Sequence, residues 1–127
     1  MKAILVDAVD AFVIEGQGIF WAMFDLLEKY PNRKIILTNA DDEGIQRYGL
    51  DRMPYEVFTL KHNPDKTDPK YYTEMLKHFG LSENDVIYFE HNGDAVKSAQ
   101  SAGIVVYHYD REKKDLKNLK KFLDANS

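Results

Sequence analysis

The sequence predicts a single doubly wound α/β domain: a Rossmann-like, five-stranded, mainly parallel sheet with helices on both faces. Three observations carry this. Short aliphatic runs alternate with segments of helical period along the whole chain. Those runs are apolar on both faces, as strands of a covered parallel sheet are. The 127 residues suit one domain with one sizeable core, and no repeat, low-complexity tract or linker divides them.

Residues 3–6 form the first strand, ended by Asp7. Residues 8–18, with Gly16 and Gly18, read as a loop. Ile19, Met23, Leu26, Leu27 and Tyr30 recur at helical spacing before Pro31, which predicts a helix over 19–30. Residues 34–37 are the second strand, 41–48 a short helix stopped by Gly49, and 56–60 the third strand. Asp68 caps the next helix with Pro69 at its first position. That helix turns Tyr72, Met75, Leu76 and Phe79 to one face and stops at Gly80. Strand four covers 86–89, a helix 93–102 with Val96 and Ala99 inward, strand five 104–107, and a last helix 112–123. Leu116, Leu119, Phe122 and Leu123 of that helix face inward, and its lysines form a solvated face.

Bulk properties narrow the function. The formal charge of −4 argues against broad nucleic-acid binding. Without cysteine there is no disulfide, thiolate metal site or thiol nucleophile, which fits a reducing, cytoplasmic compartment. The longest apolar run, residues 19–24, is too short for a membrane span, and the N-terminal run meets Asp7 too early for a secretory signal. His62, His78 and His108 lack ligand spacing. The aromatic stripe of Phe20, Trp21 and Phe24 suits either the core or a homodimer contact.

Ligands of such sheets bind at the carboxyl ends of the strands. Strand one ends in Asp7, strand two in Thr38-Asn39, and strand four in Glu90-His91-Asn92 followed by Gly93-Asp94, while Lys66 precedes the helix leading to strand four. Each has a plainer reading: a strand stop, a turn, a solvated lysine. Together they suit a phosphate and a divalent cation. Two carboxylates hold Mg²⁺, which keeps waters and takes phosphate oxygen. Lys66, Thr38 and nearby backbone N–H groups hold the anion.

Across essentially its whole length the chain resembles the haloacid dehalogenase (HAD) superfamily. The stretch Asp7-Ala8-Val9-Asp10-Ala11 is similar to its D-x-D-G-T pattern. Ile35-Ile36-Leu37-Thr38-Asn39 is similar to its second motif, and Lys66-Thr67-Asp68-Pro69 to its third. The run from Val86 through Glu90-His91-Asn92-Gly93-Asp94 to Ala102-Gly103 is similar to its fourth. The resemblance implies an aspartyl-phosphate on Asp7, Mg²⁺ held by Asp7, the Val9 carbonyl and Glu90, and phosphate binding by Thr38, Asn39 and Lys66. It implies a phosphorylated substrate, a macromolecular one included, because only about a dozen residues separate Asp7 from the first helix and the stretch from Thr38 to Lys66 holds just one helix and one strand, which leaves almost no cap over the site.

The departures are equally specific. Val9 stands where the general acid should be and cannot move a proton. Asp10 and Ala11 replace Gly-Thr. Glu90 and His91 replace paired aspartates. Asp10, His91 and Asp94 are the candidate auxiliaries, with Asp94 the candidate substitute for the second acid. Two functions stay open: a weak or divergent Mg²⁺-dependent phosphatase, or a catalytically degenerate binding or regulatory module. A phosphorelay receiver domain is set aside, because strand three runs into Leu60-Lys61 and strand five into His108-Tyr109-Asp110, without the acceptor Asp and the Lys that role requires.

Overall fold

Five parallel strands form the centre of the computed structural model, which describes residues 1–127. In chain order the strands are β1 (Ala3–Asp7), β2 (Val13–Ile14), β3 (Gly18–Ile19), β4 (Lys34–Thr38), β5 (Glu56–Thr59), β6 (Val86–Glu90) and β7 (Val105–His108). The helices are α1 (Trp21–Leu27), α2 (Asp42–Arg47), α3 (Pro69–Phe79), α4 (Gly93–Ser101) and α5 (Leu116–Asn126). The main sheet runs β5-β4-β1-β6-β7, and each neighbouring pair is parallel. The chain winds outward from β1 through β4 to β5, then crosses to β6 and β7. The order therefore reverses between β1 and β6, the crevice where doubly wound sheets place ligands.

Side-chain alternation splits the core in two. Ile4 and Val6 of β1 pack with Met23, Leu27, Ile87, Phe89, Leu119 and Leu123 on one face. Ala3 and Leu5 pack with Leu37, Tyr71, Tyr72, Met75, Tyr88 and Ala99 on the other. This period of two explains why β1 reads as a continuous apolar run: both of its faces are covered. The helix starts follow local chemistry. Asp68 accepts from Lys70 N at 3.0 Å, and Asn92 accepts from Asp94 N and Ala95 N at 3.0 and 3.1 Å.

Three expectations need correction. Residues 8–18 are not simply a loop: Val13–Ile14 and Gly18–Ile19 pair as a small antiparallel hairpin. Gly16 and Gly18 make its turn possible with φ of +77° and +80°. Pairing of Ile19 delays α1 to Trp21. The last helix begins at Leu116 rather than 112, because Asp115 caps it by accepting from Asn118 N at 3.0 Å. Trp21 is 60% exposed, so it does not belong to the core. No helix is long and apolar enough to cross a membrane.

Candidate active site

The three central strands β1, β4 and β6 end in Asp7, Thr38 and Glu90, so the parallel register sets these side chains at one edge of the sheet. Lys66 reaches the same place from a turn. In that turn His62 pairs with Asp65 at 2.8 Å, and Asp65 accepts from Thr67 N at 3.1 Å. Lys66 N donates to Asn39 Oδ1 at 2.8 Å, tying the turn to the end of β4. Asp7, Val9, Thr38, Asn39, Lys66 and Glu90 all line one cavity of about 320 Å³, as does His91. The residues expected to meet do meet.

Their arrangement is a buried ion cluster. Lys66 Nζ donates to Asp7 Oδ1 and to Glu90 Oε1, each at 2.9 Å. Lys66 is 6% exposed and both carboxylates 1%, so water screens none of these charges. Asp7 Oδ2 accepts from His91 N at 3.0 Å and contacts His91 Nδ1. Glu90 Oε2 accepts from Asn92 N at 3.0 Å, and Glu90 Oε1 also accepts from Tyr88 OH. Thr38 Oγ1 accepts from Ala40 N at 3.1 Å, which leaves its O–H proton free to donate into the cavity. Tyr71 OH braces the same corner by donating to Thr38 O at 2.8 Å.

The electrostatics follow from this wiring. Burial pushes Asp7 up, but the Lys66 ammonium and the His91 hydrogen bond outweigh it and hold Asp7 well below the usual carboxylate range. Glu90 moves the other way: burial and the Asp7 charge raise it against the pull of Lys66. Burial pushes Lys66 down, yet Asp7 and Glu90 together lift it well above an ordinary lysine. The hydrogen bond to Asp7 raises His91 against the effect of its own burial. Asp7 is thus held ionised, the state a nucleophile requires.

The donor set fits a divalent cation. Asp7, Glu90 and His91 each bring one ligand atom within 4.8 Å of the others. Two carboxylates face a single ammonium, so one negative charge of the buried pair is left for a further cation to balance.

Two auxiliaries are placed differently from expectation. Asp94 lies exposed in the first turn of α4, outside the cavity lining, because Asn92 takes the cap and starts the helix before it. It is not a second site acid. Asp10, with a left-handed φ of 71°, also lies outside the cavity lining and accepts from Arg111 Nη1 at 2.7 Å. His91 is inside, against Asp7. Sequence reasoning missed Tyr88 and Tyr71. For Tyr88 the signal was present: two residues before Glu90 on one strand, it shares that side chain's face.

The sequence matches no protein-family model and no curated protein. Its fold is shared by solved structures. A magnesium- and phosphate-bound Asp-to-Ala variant of a HAD family enzyme from Bacteroides thetaiotaomicron is 12% identical, with a TM-score of 0.67 over 87% of this chain and 95% of that one. A HAD-superfamily hydrolase of subfamily IA from Geobacter sulfurreducens is 14% identical, with a TM-score of 0.62 over 86% and 89%. A conserved haloacid dehalogenase-like protein of unknown function from Agrobacterium tumefaciens is 16% identical, with a TM-score of 0.60 over 85% and 61%. The chain has the HAD-like fold.

Proposed function

We propose that this protein is a slow, divalent-cation-dependent phosphohydrolase that uses Asp7 as its nucleophile. The observation that carries the reading is the meeting of Asp7, Thr38, Lys66 and Glu90 in one cavity at the switch point of the sheet. Thr38 O–H and the Lys66 ammonium hold oxygens of the phosphoryl group. An Asp7 oxygen attacks phosphorus, the ester oxygen leaves with the bonding pair, and water then hydrolyses the aspartyl-phosphate to inorganic phosphate. Asp7, Glu90 and the Val9 carbonyl would hold Mg²⁺, which supplies positive charge to the phosphate oxygens. That charge is needed, because Asp7 and Glu90 outnumber Lys66 and would repel a dianion.

Rate is where this chain departs. Val9 cannot protonate the leaving oxygen, so the ester must leave unaided or take its proton from water. A well-placed acid contributes roughly 10²–10⁴-fold. Good leaving groups, such as aryl oxides, are therefore favoured over alkoxides. Only the small hairpin of β2 and β3 stands between β1 and α1. In this reading the chain works as a cap-free core in the cytoplasm, open to bulky phosphorylated substrates.

A binding or regulatory module is the second reading, favoured by Val9 and by the contact of His91 with Asp7. Release of phosphate from an aryl phosphate by purified protein, with divalent cation and with EDTA, separates the two. The phosphohydrolase reading expects slow, EDTA-sensitive turnover that vanishes in Asp7→Asn. Turnover equal in wild type and Asp7→Asn leaves only the binding reading.

A further inference from the structure

The buried carboxylate pair is divided into two halves. Asp7 Oδ1 and Glu90 Oε1 turn to Lys66. Asp7 Oδ2 and Glu90 Oε2 turn to the ring of His91, whose Nδ1 contacts the first and lies 3.4 Å from the second. Each of these two oxygens accepts one backbone N–H, from His91 and Asn92 respectively, both at 3.0 Å. A carboxylate oxygen has two lone pairs: Glu90 Oε2 keeps one for a cation, and Asp7 Oδ2 regains one when His91 Nδ1 gives up its bond to that oxygen and turns to the ion. The half facing Lys66 is neutralised by the ammonium, and the half facing His91 has no permanent protein cation.

Resting on the phosphohydrolase reading, we infer that His91 ligates the site's divalent cation through Nδ1, adding one nitrogen to the oxygens of Asp7, Glu90 and the Val9 carbonyl. The site then favours an ion that accepts imidazole, such as cobalt, zinc or iron(II), over magnesium. Magnesium takes oxygen donors in near-ideal octahedral geometry, whereas imidazole suits the later transition ions. His91 Nε2 faces Asp10 Oδ2 at 3.9 Å, and Arg111 fixes that carboxylate at 2.7 Å. His108 Nε2 donates to the His91 carbonyl at 2.9 Å and steadies the backbone from β7. At 3.9 Å Asp10 acts on the His91 ring as a nearby charge and not as a hydrogen-bond partner.

Cobalt(II) is the probe, because it reports its ligands through hyperfine-shifted proton resonances. Wild-type protein labelled with ¹⁵N-histidine is titrated with Co²⁺ and followed by NMR, and Co²⁺ and Mg²⁺ affinities are measured by calorimetry. One shifted, exchangeable histidine N–H resonance should appear at one equivalent. It should persist in His62→Ala, whose ring lines the same cavity, and vanish in His91→Ala. His91→Ala should also lose at least tenfold in Co²⁺ affinity while Mg²⁺ affinity changes less than threefold. Co²⁺ bound without a shifted histidine resonance overturns the inference, as does failure of any ion to bind. Should His91→Ala not fold, the wild-type spectrum still decides. Turnover of aryl phosphate is scored separately. Magnesium-supported turnover without histidine ligation sinks this inference alone, and histidine ligation without turnover sinks only the phosphohydrolase reading.

Discussion

Replacing Lys66 with methionine should destabilise the metal-free protein by about 3–5 kcal/mol, the range for removing one partner of a buried ion pair. The geometry explains the size. The ammonium sits 2.9 Å from an oxygen of each of two carboxylates that are both 1% exposed. Methionine fills most of the volume but leaves two like charges within about 6 Å of each other, worth roughly 3 kcal/mol at an effective dielectric of 20. For a chain of this length about 1 kcal/mol moves the melting temperature by about 4 °C, so the expected fall is roughly 12–20 °C. Urea and thermal denaturation in EDTA measure it, with an unchanged m-value showing that only stability moved. Adding Glu90→Gln removes the second charge and should restore most of the loss, a coupling typical of residues in one network. A single variant that loses less than about 1 kcal/mol, or a double variant no better than the single, refutes the clamp.

Val9→Asp should raise kcat for an aryl phosphate by at least about 10²-fold, since it restores the missing proton donor. An unchanged rate means the fault lies elsewhere in the site. Tyr72→Phe should stabilise the protein by about 1 kcal/mol, because the Tyr72 hydroxyl is buried without a hydrogen-bond partner. A lower melting temperature shows that the hydroxyl has one. Asp65→Asn loosens the turn that delivers Lys66, with a definite pH signature. Burial raises Asp65, but the bonds from His62 and Thr67 outweigh it and depress its pKa below the ordinary 3.8. The wild-type advantage is therefore present above about pH 4 and disappears as pH falls through the depressed value. Melting curves for both proteins from pH 3 to 7 check the sign, and a gap that widens toward acid contradicts it.

Much of the fold was legible because it rests on local rules. A strand covered on both faces must be apolar throughout, so β1, β4 and β6 announced themselves. Asp68-Pro69 and Gly80 bracket α3 by capping chemistry. The hairpin of β2 and β3 was not legible: two residues per strand give no alternation to read, and its partners are held by Ala8, Phe12 and Val13 buried in the core. At the site, the residue types and their places at strand ends predicted convergence. What they joined to was hidden. Lys66 was assigned to a phosphate alone, yet it clamps two acids lying 59 and 24 positions away. The contact between His91 and Asp7 spans 84 positions. Such pairings depend on the strand order, which no local pattern specifies.

The account turns on one cavity holding an anion and a cation together. A crystal structure of the protein soaked with vanadate and a divalent ion tests this directly. It should show vanadium within bonding reach of an Asp7 oxygen, anion oxygens on Thr38 and Lys66, and the metal between Asp7 and Glu90. A cavity without vanadate, with Lys66 still closed on both carboxylates, contradicts it.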